Sequence, residues 1–360
     1  MVMRKYKIII IYSRSMESGG ALRASYIAEH LEKRGHDVEF IKPLKRLPFQ
    51  LDFPISFFYY MLKILFLDCD LIIVIKSYPN TCIPAIIKKL QDKKIILDID
   101  DLDYAYRDGI MMHIGKILQK PFPRFFDAIT VHNDNLREIL IKDWNTPANK
   151  IFNLPQGIDA GFFNEKNVDN GLRKKLNLEG RKIIVFTAHL DVSTDIKPIL
   201  EAVKIVTERI KNCTLVIAGR GPYLQNFKTL VEKMGLGSNV IFTGPFENQM
   251  IPSYIALGDV CIVYYEDRLA NHFRTSMKIR EYLAMKKPVA CNDVGDLKQF
   301  KEYTYQSKTD VHDFADKIIE ALLDKNNRSA YGYNYVIQNF SWDNIIETFE
   351  KESLEKLVSG

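Results

Sequence analysis

Two doubly wound parallel α/β sheets in tandem are what this sequence predicts, and three observations carry the expectation. The chain has 360 residues, and a domain usually takes roughly 100–200. Short apolar, β-rich runs alternate with amphipathic stretches, first in one half and then again in the other. The alternation is interrupted around residues 153–167, where turn residues give way to a polar, charged stretch reaching Arg181. Strand–helix alternation at this rhythm means parallel sheets with helices on both faces. A composition 47% hydrophobic and 26% charged fits folded cores rather than a disordered chain.

Taken in order, KIIIIY (7–12), DLIIVIK (70–76), KIILDI (94–99) and AITVHN (128–133) read as strands buried on both faces. Between the first two, Leu22, Tyr26, Ile27, His30 and Leu31 recur at helical spacing, with Gly35 as a stop. The second series is KIIVFTA (182–188), CTLVIAG (213–219), NVIFTG (239–244), DVCIVYY (259–265) and PVACND (288–293). From Arg328 onward the chain reads as helix, with Trp342, Ile345, Ile346, Phe349 and Leu354 on an apolar side. The expected domains are therefore 1–155 and 156–328, with a terminal helical segment over 329–360. Ligands of such sheets bind beyond the strand C-terminal ends, where loops and helix N-termini converge, so a cleft between the two domains is the expected site.

The net charge is +5, from 50 basic and 45 acidic residues, too mild to suggest nucleic-acid binding. Residues 1–50 hold ten Lys and Arg against five Asp and Glu, a local field suited to phosphates or anionic lipid headgroups. Cys69, Cys82, Cys213, Cys261 and Cys291 stand far apart without metal or redox spacing, which fits a reducing cytosol. The apolar start reads as a first buried strand rather than a secretory signal. The run from Phe53 to Leu67 contains Lys63 and falls short of the roughly 20 residues a membrane span needs. A cytoplasmic protein is expected, in place at the inner face of a membrane if residues 42–66 dock there.

Several groups of residues carry candidate chemistry. Gly19 and Gly20 stand between the first strand and its helix, where adjacent glycines allow a phosphate or sugar to approach the backbone, or simply make a tight turn. The densest stretch is NHFRTSMKIREYLAMKKPVACNDVGD (271–296). Its Asn271, Arg274, Ser276, Lys278 and Glu281 lie at or near a helix start. Arg274 and Lys278 can neutralise a diphosphate, and Glu281 can accept both hydroxyls of a ribose. The other reading of the same charges is a solvated helix face. In DIDDLDYAYRD (98–108), Asp98, Asp100, Asp101 and Asp103 follow a strand. Asp101 or a neighbour could serve as a base, stabilise positive charge on a sugar, hold a divalent cation, or only cap a turn. His132 reads as a satisfied structural histidine. In 42–66, Lys42, Lys45 and Arg46 precede a patch dense in Phe and Tyr, which reads either as an interfacial membrane surface or as a core helix.

The run Ser276, Met277, Lys278, Glu281, Tyr282, Leu283, Ala284, Lys287, Pro288, Val289 resembles the donor-site segment of family 4 retaining glycosyltransferases, the group 1 type with the GT-B fold. Further pieces fall in that family's order: NLPQGID (153–159), LVIAGRGP (215–222), VIFTGPF (240–246), DVCIVYY (259–265) and NFSWDNIIETF (339–349). The resemblance is strong in the second half and looser in the first. It implies two Rossmann-like domains facing a central cleft, an acceptor side in the first and a donor side in the second, and a terminal helix crossing back. It also implies that Glu281 holds the donor ribose and that Gly219, Arg220, Gly221, Pro245 and Phe246 border the nucleotide.

The departures are specific. A first glutamate of the family would fall at Phe273. An arginine and a lysine of the second domain would fall near His189 and Thr194, with Lys197 displaced. Asn271, Arg274 and Lys278 could supply the charge instead. A His-Asp pair of many relatives is replaced by Asp100 and Asp101. The expectation is a retaining hexosyltransferase that moves a sugar from a UDP- or GDP-sugar to a hydroxyl of a glycan or lipid-linked acceptor. Metal and cofactor are not required, and nucleic acid is not a partner. Asp101, Arg274 and Lys278 are the catalytic candidates. Gly19, Gly20, His189, Gly219, Arg220, Phe246, Asn271, Ser276, Met277 and Glu281 are the donor-binding ones. The rivals are a GT-B epimerase or phosphorylase, the latter weakened by the lack of a suitable pyridoxal lysine, and a non-catalytic sugar-nucleotide-binding partner subunit.

Overall fold

A computed structural model describes residues 4–12, 19–42, 44, 49–323 and 328–359. Lys45, Arg46 and residues 13–18 of the first turn lie outside the described residues. The chain divides into two compact units. The first is 1–157 with 273–275 and 342–360, and the second is 158–272 with 276–341.

The first unit holds β1 (Lys7–Tyr12), β2 (Asp37–Ile41), β3 (Leu71–Ile75), β4 (Lys94–Ile99), β5 (Ala128–Val131) and β6 (Ile151–Asn153). They form one parallel sheet in the order β2-β1-β3-β4-β5-β6. The second unit holds β7 (Lys182–His189), β8 (Cys213–Arg220), β9 (Val240–Phe242), β10 (Val260–Val263), β11 (Val289–Asn292) and β12 (Tyr305–Ser307). Its parallel order is β12-β11-β10-β7-β8-β9. The direction of winding reverses between β1 and β3 in one sheet and between β7 and β10 in the other, and such switch points open a crevice at the strand C-terminal ends.

Central strands such as β3 and β10 are buried and apolar throughout because each sheet is covered twice. Ile9 and Ile11 enter one core layer of the first unit, while Ile8 and Ile10 enter the other, as a period of two requires. Ile183 and Val185 divide from Ile184 and Phe186 in the same way in the second unit. The helix Gly19–Lys33 buries Ala21, Ala24, Ile27, Ala28 and Leu31, so Gly19 and Gly20 are its first residues rather than a turn before it.

The C-terminal segment is two pieces. The helix Arg328–Phe340 stays with the second unit, where Val336 and Phe340 join the core and the Phe340 ring takes the Arg280 guanidinium at 4.5 Å. The helix Trp342–Phe349 joins the first, where Trp342 stacks on Tyr26 at 5.5 Å and meets the Arg23 guanidinium at 5.9 Å. The changeover therefore falls at Ser341–Trp342 instead of residue 329, because each helix buries its own apolar stripe where it is. Among the described residues no helix is long and apolar enough to cross a membrane.

Candidate active site

Candidate residues fall in both units, and each set is built by its own unit. In the second, β7 and β8 end at His189 and Arg220, whose side chains are exposed. A Cβ on Gly219 would lie 1.8 Å from the Ala188 carbonyl oxygen, and one on Gly221 2.1 Å from that of Leu190. These glycines let the two strand ends close on each other, and the Leu190 N–H then reaches the Arg220 carbonyl at 2.8 Å. Packing of the protein's own backbone thus accounts for the G-x-G spacing. Phe246 packs on Tyr254 with ring centres 4.4 Å apart.

Beside the β7–β10 switch point lies Asp195, buried and absent from the sequence-based candidates. It pairs with Arg268 and accepts from the Glu266 N–H and the Asn271 amide, each at 3.1 Å. That amide also donates to the Glu266 carbonyl at 2.8 Å, so Asn271 is turned into its own loop. Only the fold could reveal Asp195, since its partners are more than 70 positions away in the chain.

The helix Met277–Ala284 starts from a fixed cap. The Ser276 hydroxyl accepts the Ile279 N–H at 3.4 Å, and the Ser276 N–H donates to Asp296 at 3.1 Å. Arg280, fully buried, donates to the Ser276 carbonyl at 2.7 Å and to Asp296 at 2.9 Å. Ile279, Tyr282 and Leu283 face the core, and the Tyr282 hydroxyl takes the Thr187 N–H at 2.9 Å. That leaves half-buried Met277, Lys278 and Glu281 on the other side, Lys278 and Glu281 three residues apart and hence neighbours. The Lys278 ammonium stands 5.8 Å from the Phe186 ring centre. Burial pushes the Glu281 carboxyl up to about 7, with the Lys278 charge pulling the other way. A desolvated carboxylate beside an ammonium can accept hydroxyl groups and is poised near neutrality to do so.

In the first unit the aspartates separate by role. Asp98 is fully buried and takes Arg23 in a two-point pair at 2.8 and 2.9 Å, plus the Thr130 hydroxyl at 2.6 Å. Arg23 also donates to the carbonyls of Leu154 and Pro155. Lys76 pairs with Asp100 at 3.2 Å and Asp103 at 3.0 Å, and its φ of 71° puts it in a left-handed conformation unusual for a side-chain-bearing residue. Gly20 sits against this pair: a Cβ there would come within 3.0 Å of Asp100 and 3.1 Å of Lys76. Asp101 accepts the Tyr106 hydroxyl at 2.7 Å. Desolvation pushes it up to about 6, the range of a working general base.

Arg274 lies in the 273–275 segment that belongs to the first unit, where its charge bears on Tyr106; Lys278 belongs to the second. Phe273, which stands where a glutamate was looked for, packs on the first unit's core, and its carbonyl accepts from His132 at 3.2 Å and Asn133 at 2.8 Å. His132 is accordingly engaged in structure. Among the described residues no group of three or more His, Cys, Asp or Glu is arranged to hold a metal ion.

Two parallel six-stranded sheets, each covered by helices and each presenting charged residues at its strand ends, define the GT-B class of fold. The solved structure of the Anabaena protein HepE in complex with UDP superposes with a TM-score of 0.75 at 15% identity, covering 98% of this chain and all of that one. The family described as Glycosyl transferases group 1 matches residues 168–335, which make up most of the second unit. It is 24% identical to the alpha-D-kanosaminyltransferase of Streptomyces kanamyceticus, over 52% of this chain and 48% of that protein. It is 26% identical to the GDP-mannose-dependent alpha-(1-6)-phosphatidylinositol monomannoside mannosyltransferase of Mycobacterium tuberculosis, over 55% and 54%. The chain spans about half the length of these curated relatives.

Proposed function

We propose that the protein transfers a hexose from a UDP- or GDP-sugar to a hydroxyl of a glycan or lipid-linked acceptor, with retention of configuration. The observation that carries this reading is the Lys278–Glu281 pair on a capped helix inside the matched family region. The second unit is the donor domain and the first the acceptor domain. Glu281 accepts the ribose hydroxyls. Lys278, with Arg274, offsets the diphosphate charge that builds as the sugar departs, the main electrostatic demand of the reaction. Ser276 and Met277 hold the helix start against the donor. His189, Gly219, Arg220, Phe246, Asn271, Gly19 and Gly20 complete its surroundings, Gly219 and Asn271 by shaping the backbone. Asp101 takes the acceptor proton or steadies the positive charge on the sugar.

The relatives support the substrate classes: one is named for GDP-mannose and a phosphatidylinositol mannoside, and HepE was solved with UDP. A glycolipid acceptor agrees with peripheral contact through 42–66 at the cytoplasmic face of a membrane. There the helix Phe49–Phe66 buries Tyr60 and Ile64 yet exposes Phe58, Leu62 and Phe66, so it is both core helix and apolar surface.

Titration calorimetry with UDP and GDP tests the donor site. Lys278→Ala removes a charge-assisted contact worth about 1.5–3 kcal/mol, a loss of roughly 10–100-fold in affinity. Unchanged affinity in both Lys278→Ala and Arg274→Ala defeats the assignment. Phe273 in place of an acidic side chain favours one second reading, a donor-binding partner subunit. Tight nucleotide binding with no release of diphosphate from any UDP- or GDP-sugar, in the presence of glycolipid acceptors, decides for it.

A further inference from the structure

The helix Gly109–Gln119 is amphipathic in the opposite sense to a helix laid on a sheet. Its inward side offers Met112, Gly115 against Tyr104, and a buried Gln119 whose carbonyl accepts the Ser77 hydroxyl at 2.8 Å. Its outward side carries Ile110, Ile114, Ile117 and Leu118, exposed by 74, 43, 70 and 49%. These positions form one helical stripe. An isolated exposed isoleucine is ordinary, but a continuous stripe of them marks a surface that something apolar covers.

Charge says what covers it. Residues 107–125 contain Arg107, Lys116, Lys120 and Arg124 against Asp108. Lys116 and Lys120 also meet Asp143, at 2.7 and 3.7 Å. Four cations against two acids still leave the segment that carries the stripe net positive. Beyond the helix, the Arg124 guanidinium lies 5.1 Å from the ring centre of Phe125, itself 45% exposed. Exposed apolar side chains on a net-positive segment match the acyl boundary and anionic headgroups of a bilayer.

The stripe also lies on the sheet face that carries the helix Phe49–Phe66. Tyr60 and Ile64 of that helix share one core layer with Tyr104 and Met112. The Asn80 amide ties the intervening helix Pro79–Lys89 to Ser56 at 3.0 Å.

We propose that helix Gly109–Gln119 is a second membrane-docking element, which lays its Ile110–Ile114–Ile117 stripe into the interface of a bilayer rich in anionic lipid. The inference rests on the peripheral-membrane part of the function proposed above, and its test separates the two. The full chain is cosedimented with vesicles of phosphatidylcholine alone and of phosphatidylcholine with phosphatidylglycerol. Mixed vesicles bind it more tightly, and Ile110→Asp with Ile117→Asp lowers the partition at least about tenfold, since each lost side chain removes buried apolar area. Val192→Asp, at an equally exposed site in the second unit, changes nothing, and all variants keep the wild-type Tm. Because the five native cysteines are buried, an environment-sensitive dye can be placed at Ile117→Cys, and its emission shifts to the blue on the mixed vesicles. Wild-type-like binding of the Ile110/Ile117 variant, with binding lost in Phe57→Asp plus Phe58→Asp, overturns this inference and leaves the first helix as the docking element. Failure of the wild type to bind overturns both. A wild-type dimer in sedimentation velocity that the Ile110/Ile117 variant dissolves, without vesicle binding, assigns the stripe to a second copy of the chain and overturns the proposal.

Discussion

In the first unit the charges at the strand ends largely consume one another: Asp98 is held by Arg23, and Asp100 and Asp103 by Lys76. In the second unit a buried pair, Arg280–Asp296, fixes the loop and helix start. The proposed donor residues Lys278 and Glu281 then stand on the helix that this pair anchors. The contrast lies in where desolvation falls. Paired with full-strength cations, Asp98, Asp100 and Asp103 act as architecture. Asp101, paired with a neutral phenol, and Glu281, opposed by one half-buried lysine, are left with raised protonation ranges. Identical residue types serve structure or chemistry according to the partner that the fold supplies.

The comparison breaks first at Arg23. Arg23→Ala strands Asp98 as a buried charge and is expected to cost about 3–5 kcal/mol, read as a fall in urea midpoint. A loss under about 1 kcal/mol would mean the pair is not buried architecture. Next is Gly219→Ala, where the new methyl meets the Ala188 carbonyl. Overpacking of this kind costs about 1–3 kcal/mol, and the same urea melt reads it. If the variant is fully stable but no longer binds nucleotide, Gly219 serves the ligand and not the strand closure.

Smaller is the effect of Glu281→Gln. Its folded carboxyl titrates near 7, above its ordinary value, so it favours the fold at low pH and loses that contribution as pH rises through 7. At pH 8 the neutral amide is spared the cost of a buried charge and should raise Tm by about 2–4 °C, the equivalent of about 1 kcal/mol after allowing for partial exposure. At pH 4, below the ordinary glutamate value, the difference nearly vanishes. Donor affinity should fall in the same variant, which separates stability from function. The smallest change is Tyr106→Phe. The phenol donates to the ionised form of Asp101, so its loss raises the carboxyl further. The acid limb of kcat/KM, expected near pH 6, should move upward by a few tenths of a unit, with kcat at pH 8 little altered. An acid limb unmoved by Tyr106→Phe and retained in Asp101→Asn removes Asp101 from the reaction.

The strands and the helix of Lys278 and Glu281 were legible because their signals are local: β-branched runs, a capping serine, apolar spacing. Arg23 with Asp98, Asp195 with Asn271 and Asp101 with Tyr106 were not singled out as pairs. The first two join residues more than 70 positions apart, and the third depends on a short turn whose hydroxyl direction has no sequence signature. The helix Gly109–Gln119 was missed for a different reason. Its apolar stripe has ordinary helical spacing, and periodicity does not say which side meets the sheet.

By itself, then, the sequence determined the doubly wound α/β class, the position of most strands and the charged segment around Lys278, because alternation and spacing are imposed residue by residue. Tertiary structure alone decided which charges are spent on each other, that Phe273 packs on the first unit's core and that an isoleucine stripe faces outward. Those outcomes depend on burial and on partners distant in the chain, which no local pattern encodes.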